Sequence, residues 1–232
     1  MRLSVIIPVF NEKATIEQVI DKVADVPIEK EIIVVDDYST DGTRELLKNL
    51  RQDNVTTVFH EKNKGKGAAI RTGIQYVTGD IVIIQDADLE YNPHEYLKLI
   101  EPIKNGTADV VYGSRFSCLP AGMAGKTEKM TIAHLLGNKV LTLATNILYG
   151  TRLTDMETCY KMVKAPLIKS LKLRANRFDF EPEITAKLLK SGKRIIEIPI
   201  SYEGRHWSEG KKITWKDGIA ALWSLIKYRF ID

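Results

Sequence analysis

Two aspartates follow a strongly apolar stretch of the chain and have the right chemistry to bind a metal ion. Residues 81–85 are nearly all apolar, and Asp86 and Asp88 follow them directly. Unpaired charge is costly inside a sheet, so these carboxylates are expected where a strand emerges at the sheet edge. Side chains alternate along an extended chain, so Asp86 and Asp88 face the same side. Their hard oxygens suit Mg²⁺ or Mn²⁺ carrying a phosphate substrate, whereas the alternative is that they cap the turn before Pro93.

A second apolar stretch, residues 32–35, also ends in a carboxylate pair, Asp36 and Asp37. A carboxylate can accept hydrogen bonds from the N–H groups of a base or from ribose hydroxyls. Two such strand ends in one domain indicate a site for a nucleotide and a metal ion. Alternatively, Asp36 and Asp37 cap the next helix together with Ser39 and Thr40.

Hydrophobic periodicity predicts the elements that position these acids. Strands are expected at residues 3–10, 32–35, 55–60, 81–85, 109–112 and 194–201, and helices at 14–24, 64–76, 94–104, 130–149, 178–190 and 215–230. A further helix is expected to run through residue 50, with Ser39, Thr40 and Asp41 as its N-cap candidates. The alternation predicts an α/β fold, a mostly parallel sheet with helices on both faces. Ligands of such sheets bind beyond the carboxyl ends of the strands, where both acidic pairs are expected. Pro199 predicts a sheet edge or an unpaired position for the last strand.

Composition narrows the class of protein. The 232 residues suffice for one domain with an appendage, and the net charge of +4 is mild. Without an interleaved basic and aromatic pattern, no nucleic-acid partner is expected. Cys118 and Cys159 are far apart, which is typical of reduced thiols in a cytoplasmic protein. We expect neither a signal peptide nor an apolar run of the roughly 20 residues that span a bilayer.

Five motifs, taken in order, resemble glycosyltransferase family 2. They are Val5-Ile6-Ile7-Pro8-Val9-Phe10-Asn11-Glu12, Val34-Val35-Asp36-Asp37-Tyr38-Ser39-Thr40-Asp41-Gly42-Thr43, Asn63-Lys64-Gly65-Lys66-Gly67, Asp86-Ala87-Asp88-Leu89 and Gly113-Ser114-Arg115. Several motifs in order are more specific than any one alone. The nearest subgroup is that of dolichol-phosphate mannose synthases and polyprenyl-phosphate glycosyltransferases. The resemblance implies a Rossmann-like GT-A domain over residues 1–205, then a basic loop and an amphipathic helix over residues 206–232.

The resemblance implies a nucleotide-sugar donor, with GDP-mannose, UDP-glucose and UDP-N-acetylglucosamine all open. Asp86 and Asp88 would hold Mg²⁺ or Mn²⁺, with Glu90 as a third ligand where relatives often have glutamine. Asp37 would contact the base or ribose. The other donor-binding residues would be Pro8, Phe10, Glu12, Lys66 and Ala87. The turn carrying Lys66 opens a helix and could bind phosphate, or be a solvated basic turn.

The acceptor implied by the resemblance is a polyprenyl phosphate. Arg115, with Arg205 and Lys211 from the basic loop, would bind its phosphate, because a guanidinium matches a phosphate in shape and charge. For Arg115 the alternative is an ordinary surface ion pair. Thr154-Asp155-Met156-Glu157-Thr158-Cys159-Tyr160-Lys161 matches the acidic second motif of the family, in which an aspartate is the general base toward hydroxyls. A phosphate acceptor needs no base, so Asp155 would position sugar or acceptor, or cap a short helix.

These inferences predict an inverting glycosyltransferase with Asp88, Arg115 and Asp155 as its catalytic residues. The alternative is a family member that acts on a hydroxyl of a glycan or protein, with Asp155 as base. A nucleotidyltransferase is disfavoured, because it would need a glycine-rich signature after the first strand, where residues 8–12 are Pro-Val-Phe-Asn-Glu. A non-catalytic binding module is disfavoured because the metal pair Asp86 and Asp88 is intact. The helix at 215–230 has an apolar stripe flanked by lysines, so it is either a core helix or an interfacial one. A lipid-linked acceptor favours a peripheral enzyme on the cytoplasmic face of a membrane, bound to the surface itself or to a membrane protein.

Overall fold

A computed structural model of the chain describes residues 1–116, 132–204 and 215–231. The strands are β1 (Leu3–Val9), β2 (Lys30–Asp36), β3 (Val55–Phe59), β4 (Ile81–Ile84), β5 (Val110–Ser114), β6 (Lys161–Lys164) and β7 (Ile195–Pro199). The helices are α1 (Ile16–Asp25), α2 (Thr43–Asn49), α3 (Lys66–Tyr76), α4 (Tyr96–Lys104), α5 (Ile132–Tyr149), α6 (Ala165–Ser170), α7 (Phe180–Lys190) and α8 (Trp215–Phe230), with a 3-10 turn at Pro93–Glu95. The described strands form one seven-stranded sheet in the order β3-β2-β1-β4-β6-β5-β7.

The centre of the sheet is apolar on both faces. Every residue of β1 and β4 is buried. This pattern is typical of parallel strands covered on both sides. β1 pairs in parallel with β2 and with β4, so that Val5 lies opposite Ile32 on one side and Ile83 on the other. The prediction of an α/β fold with a mostly parallel sheet is confirmed.

One strand runs against the others, and it was not predicted from the sequence. β6 lies between β4 and β5 and is antiparallel to both. It has only four residues and begins with a fully buried lysine, Lys161. Neither its length nor its composition gives a recognisable strand pattern. Because β6 runs in the opposite direction, the segment before it lies at the edge where β4 and β5 end.

The far side of the sheet confirms the expectation for Pro199. β7 is the edge strand, parallel to β5, and Pro199 is the last residue paired in the ladder, opposite Ser114. Proline cannot donate a backbone hydrogen bond, so it is tolerated at such an edge. The short helix α6, which was not predicted, follows β6 directly.

Helix α8 has the bounds predicted for the C-terminal helix, and it packs against α5 and α7. The hydroxyl of Tyr149 on α5 donates to the Leu225 carbonyl at 2.7 Å. The ammonium of Lys187 on α7 lies 4.8 Å from the ring centre of Tyr228. In the described part of the chain no helix is long and apolar enough to cross a bilayer. The division at residue 205 stays a prediction.

Candidate active site

The carboxyl ends of β1, β2, β4 and β5 carry most of the predicted site residues. Pro8 is buried near the end of β1, and Phe10 and Glu12 follow in a partly buried loop. Asn11 and Tyr38 both have positive φ, 53° and 69°. This backbone region is unusual for tyrosine and often marks a functional site. The two loops are joined where the Thr40 backbone N–H donates to Asn11 Oδ1 at 2.8 Å.

Asp36 is fully buried and serves the loop that follows it. The Ser39 backbone N–H donates to Asp36 Oδ1 at 3.2 Å, and Arg44 Nε lies 3.6 Å from Asp36 Oδ2. Asp36 therefore fixes the loop before α2 and does not cap the helix, whose N-cap is Gly42 without a side-chain cap bond. The Arg44 guanidinium also lies 5.5 Å from the ring centre of Tyr38, so the loop presents an aromatic ring and a cation together.

Asp37 holds the glycine turn in place. Its Oδ1 accepts from the Lys64 backbone N–H at 2.8 Å and lies 2.7 Å from His60 Nδ1. Its Oδ2 accepts from the Gly65 backbone N–H at 2.7 Å. Both oxygens of this buried carboxylate therefore bond to the protein. The contact of Asp37 with a base or ribose stays a prediction.

The glycines of this turn allow another part of the chain to approach closely. Gly65 has a φ of +95°, and a Cβ atom there would lie 2.3 Å from the Asn176 carbonyl oxygen. A Cβ atom at Gly67 would lie 2.6 Å from the Ala175 carbonyl oxygen. The Ala175 backbone N–H in turn donates to Glu183 at 2.7 Å, so α7 fixes the segment that contacts α3. Close approach by protein explains these glycines, and a phosphate contact there stays a prediction.

The predicted metal pair lies directly after β4. Lys66 Nζ, in the first turn of α3, lies 2.7 Å from Asp86 Oδ1. The Asp88 Oδ1 accepts from the Glu90 backbone N–H at 3.2 Å, which is the turn-capping contact that the sequence left open. The Glu90 Oε2 accepts from the Tyr202 hydroxyl at 2.7 Å. The carbonyl of Ala87 accepts from Thr15 at 2.9 Å and so connects this turn to α1.

The chemistry of Asp86 and Asp88 fits a divalent cation shared with a diphosphate. Mg²⁺ is usually held by one or two carboxylates plus phosphate oxygens and water. Among the described residues no three acidic, histidine or cysteine side chains are gathered into a metal centre, so Glu90 as a third ligand stays a prediction. Lys66 already supplies a cation to Asp86. Burial would lower the pKa of Lys66, but the charges of Asp86 and Glu181 outweigh it and raise that pKa well above its ordinary value.

A buried network of charges lies beneath this edge of the sheet. Lys66 Nζ is 3.4 Å from Glu181 Oε1, and Lys161 Nζ is 2.5 Å from Glu181 Oε2. Glu181 thus lies between two ammonium groups, one at the start of α3 and one at the start of β6. Buried ions persist when they are paired, and Glu181 is paired with both ammonium groups and accepts a hydrogen bond from Lys161 on Oε2.

Arg115 and Asp155 form a buried ion pair. Arg115 Nε donates to Asp155 Oδ2 at 2.7 Å, and Nη2 donates to Oδ1 at 2.8 Å. The Arg115 backbone N–H also donates to Oδ2, at 3.0 Å. The side chain of Asp155 is 0% exposed and that of Arg115 is 7% exposed. The two residues that the sequence assigned to rival acceptor roles therefore bind each other, and the pair is not the exposed surface contact considered for Arg115.

The loop around Asp155 is anchored from β7 and β5. The backbone N–H groups of Thr154 and Asp155 donate to the Glu197 carboxylate at 2.7 and 2.9 Å. The Thr154 and Ser114 hydroxyls are 2.7 Å apart. Burial raises the pKa of Glu197 above its ordinary value. These bonds fix the loop at the end of β5, beside Arg115.

The structure thus brings the predicted residues into two pairs, Lys66 with Asp86 and Arg115 with Asp155. The predicted phosphate-binding residues Arg205 and Lys211 lie outside the described residues. Sequence reasoning missed the charged groups beneath the site, Lys161 and Glu181. Lys161 ends the acidic second motif, which assigns it no role, and its pairing with Glu181 across 20 residues gives no periodic signal.

Comparison with known proteins identifies the family to which the chain is similar. The family model described as glycosyl transferase family 2 matches residues 4–170. An undecaprenyl-phosphate mannosyltransferase of Micrococcus luteus is 29% identical over 219 residues, 91% of this chain and 87% of that protein. A UDP-N-acetylglucosamine–dolichyl-phosphate N-acetylglucosaminyltransferase of Methanococcus voltae is 30% identical, over 84% of this chain and 83% of that protein. A dolichol-phosphate mannosyltransferase of Pyrococcus furiosus is 29% identical over 91% of this chain, which spans 59% of that protein.

Solved structures share the fold. A glucosyl-3-phosphoglycerate synthase from Mycobacterium tuberculosis, in complex with Mn²⁺, UDP and phosphoglyceric acid, has a TM-score of 0.69 at 20% identity, over 99% of this chain and 79% of that one. A mannosyl-3-phosphoglycerate synthase from Rubrobacter xylanophilus has a TM-score of 0.74 at 17% identity, over 98% of this chain and 72% of that one. The sheet is therefore that of GT-A proteins, as predicted. Since the family model covers well over half of the chain, the chain belongs to glycosyltransferase family 2.

Proposed function

We propose that this glycosyltransferase transfers a sugar, with inversion, from a nucleotide sugar to the phosphate of a polyprenyl phosphate. The observation that carries the choice of acceptor is an apolar surface formed by α5 and α8. The relatives named above act on undecaprenyl or dolichyl phosphates, which supports the same choice.

On the donor side, Asp86 and Asp88 would hold Mg²⁺ or Mn²⁺, which would neutralise charge on the leaving nucleoside diphosphate. The structural neighbour with Mn²⁺ and UDP supports this assignment. Lys66 lies in the first turn of α3 and contacts Asp86, so its charge is directed toward the same diphosphate. The ring of Tyr38 is 43% exposed in the neighbouring loop and offers a surface against which a base can stack.

On the acceptor side, Arg115 provides the positive charge at the end of β5. A guanidinium has five N–H donors, of which the fork to Asp155 uses two. The pair therefore need not break for a phosphate to bind. A phosphate oxygen is already anionic at neutral pH and can attack the anomeric carbon without a base. Arg205 and Lys211 are proposed to complete this phosphate site.

The apolar surface extends along two adjacent helices. On α5 the exposed apolar side chains recur at helical spacing along one stripe, and α8 carries a similar stripe. We define the apolar surface as Leu136, Val140, Leu143, Ile147, Ile219, Leu222, Trp223, Ile226 and Phe230. Several are more than half exposed, including Ile147 at 74%, Trp223 at 64% and Phe230 at 77%. Contiguous exposed apolar patches mark sites of membrane or protein interaction.

Basic residues border this apolar surface. Lys139 is exposed beside the stripe on α5, and Lys227 and Arg229 lie on opposite sides of the stripe on α8. Helices that lie in a membrane interface combine an apolar face with basic margins that attract anionic lipid. We therefore propose that the protein is peripheral on the cytoplasmic face of a membrane, where a lipid-linked acceptor can be reached.

A donor and acceptor panel tests the proposed function. GDP-mannose, UDP-glucose and UDP-N-acetylglucosamine are each incubated with a short polyprenyl phosphate and Mn²⁺, and released nucleotide and lipid product are measured. We expect one donor to give a polyprenyl-phospho-sugar and no product with the matching polyprenol. Transfer to a free hydroxyl in preference to the phosphate would refute the proposal in favour of the hydroxyl-acceptor alternative. The burial of Asp155 against Arg115 already counts against its use as a base.

Vesicle binding tests the membrane assignment independently of catalysis. We expect the protein to float with vesicles that contain anionic phospholipid, and Ile147→Asp or Phe230→Asp to reduce this binding at least tenfold. Leu97→Asp is the matched control, because Leu97 is also exposed, at 41%, but lies on α4 away from the apolar surface. Equal flotation of all variants would refute a role for α5 and α8. Loss of flotation only after removal of a membrane-protein partner would instead favour that partner.

A further inference from the structure

Glu157 has an unusual environment within the acidic second motif. It lies between Asp155 and β6, and its residue is partly exposed. Its Oε1 atom, however, is buried and makes no hydrogen bond with any described residue. A buried carboxylate oxygen without a partner is costly when the group is ionised. The position of Glu157 therefore favours either a protonated, neutral carboxyl or a hydrogen bond from Glu157 to a bound ligand.

The backbone around Glu157 is held rigidly. Lys161 Nζ donates to the Met156 carbonyl at 3.0 Å and to the Thr158 carbonyl at 2.5 Å, on either side of Glu157. Its third bond goes to Glu181 Oε2 at 2.5 Å. An ammonium group has three N–H donors, so all donors of Lys161 are used by other acceptors. Lys161 fixes the segment without bonding to the carboxyl of Glu157.

Four charged groups act on Glu157, two of each sign. Lys161 and Arg115 favour its anion, whereas Glu181 and Asp155 oppose it. Each of these cations is already paired with one of these anions, Lys161 with Glu181 and Arg115 with Asp155. Burial is the largest effect, and it raises the pKa of Glu157 to about 7. We therefore expect Glu157 to titrate in the physiological range.

We propose that Glu157 takes up a proton when an anionic phosphate group binds beside Arg115. The inference rests on the proposed function, in which the acceptor phosphate binds there. A carboxylate next to an incoming dianion would be repelled, whereas a neutral carboxyl would not, and could donate a hydrogen bond. One proton moves from the solvent to a carboxylate oxygen, and no other bond changes. Glu157 is thus a residue that tunes acceptor affinity with pH, through Arg115 and the bound phosphate.

The protonation of Glu157 can be measured in the free protein. Infrared difference spectra between pH 5 and pH 9 should show one carboxyl that titrates near pH 7 in the wild type. The signal should vanish in Glu157→Gln and persist in the control Glu45→Gln, which changes an exposed glutamate on α2. The absence of such a signal in the wild type would overturn the inference without requiring any variant to fold.

Calorimetry tests the coupling to phosphate binding. A short prenyl phosphate is titrated without donor in two buffers of different ionisation enthalpy. At pH 7 the wild type should take up about half a proton more than Glu157→Gln, because a group at its pKa is half protonated and the phosphate contributes equally in both proteins. From pH 7.5 to 8.5 the affinity should fall up to about tenfold in the wild type and stay flat in Glu157→Gln.

The outcomes separate this inference from the proposed function. If prenyl phosphate binds and is transferred but proton uptake is the same in Glu157→Gln, the inference is wrong and the proposed function stands. If prenyl phosphate neither binds nor receives a sugar, the proposed function is wrong. Inorganic phosphate then replaces prenyl phosphate as the probe for proton uptake. If inorganic phosphate binds without proton uptake, or does not bind, phosphate binding is not coupled to protonation of Glu157. The inference is then refuted even if Glu157 titrates near pH 7.

Discussion

Arg115→Ala should destabilise the fold strongly, because it would leave Asp155 buried without its partner. The two bonds from the Arg115 side chain to Asp155, at 2.7 and 2.8 Å, would be lost. Only the bond from the backbone N–H of residue 115 to Asp155, at 3.0 Å, would remain between the two residues. Removing one member of a buried ion pair costs about 3–5 kcal/mol. An exposed pair is worth only about 0–1 kcal/mol, so burial decides the magnitude.

The expected change is large enough to measure by thermal unfolding. For a chain of 232 residues, each kcal/mol shifts Tm by about 2–4 °C, which gives a decrease of roughly 6–20 °C. Lys104→Ala is the matched control, because it breaks an exposed pair with Glu101 at 3.7 Å. We expect that variant to unfold within a few degrees of the wild type.

A double-mutant cycle assigns the loss to the pair itself. Urea unfolding is measured for Arg115→Ala, Asp155→Ala and the double variant. The double variant should lose less stability than the sum of the single variants, because no unpaired charge is left buried. Additive effects, or a loss below about 1 kcal/mol for Arg115→Ala, would refute the buried-pair argument.

The same pair changes how acceptor kinetics should be interpreted. We expect Arg115→Ala to lower kcat/KM for polyprenyl phosphate far more than it lowers nucleotide affinity or donor hydrolysis. Asp155→Asn also disturbs Arg115, so the two variants must be compared at temperatures where both are folded. Arg115→Lys separates the effects, since it keeps the charge but loses the bidentate geometry.

Three further predictions concern other parts of the site. Asp88→Ala should abolish transfer and leave the circular dichroism spectrum unchanged. The activity of the wild type should be lost in EDTA and restored by Mg²⁺ or Mn²⁺. An active Asp88→Ala variant, or undiminished turnover after chelation, would contradict the metal assignment. Gly65→Ala should cost more than about 1 kcal/mol in urea unfolding, because φ is +95° and the new Cβ would meet Asn176. The pKa of Glu157 is raised to about 7, so the free energy of unfolding of the wild type should decrease as the pH rises from 4.5 to 7, by no more than about 3 kcal/mol. This decrease should be absent in Glu157→Gln.

Local patterns were sufficient to predict the half of the sheet formed by β3, β2, β1 and β4. Each of β1, β2 and β4 contains a run of apolar residues, at positions 5–7, 32–35 and 81–84, and such runs are typical of buried parallel strands. The rule that parallel strands end at one edge then predicts that Asp37, Asp86 and Asp88 share that edge. Helix bounds differed by a few residues. For example, α3 begins at Lys66 because Gly65 has a positive φ.

The other half of the sheet, formed by β6, β5 and β7, could not be predicted in the same way, because its contacts join distant parts of the chain. Arg115 and Asp155 are 40 residues apart, and only the antiparallel direction of β6 brings them together. A motif can assign a role to each residue, but it does not show that the two side chains bind each other. The unpartnered oxygen of Glu157 is a property of packing, and no sequence pattern reports it.

The position of β6 also has a consequence for the order in which the protein folds. The strands β3, β2, β1 and β4 lie side by side and are complete by residue 84. β5 follows at residue 110, but both of its neighbours, β6 and β7, come from residues 161–199. During synthesis β5 must therefore wait about 50 residues for a partner, whereas β3, β2, β1 and β4 can already assemble. Arg115 emerges long before Asp155, so the part of the sheet that carries Arg115 is completed on the ribosome after the part that carries Asp86.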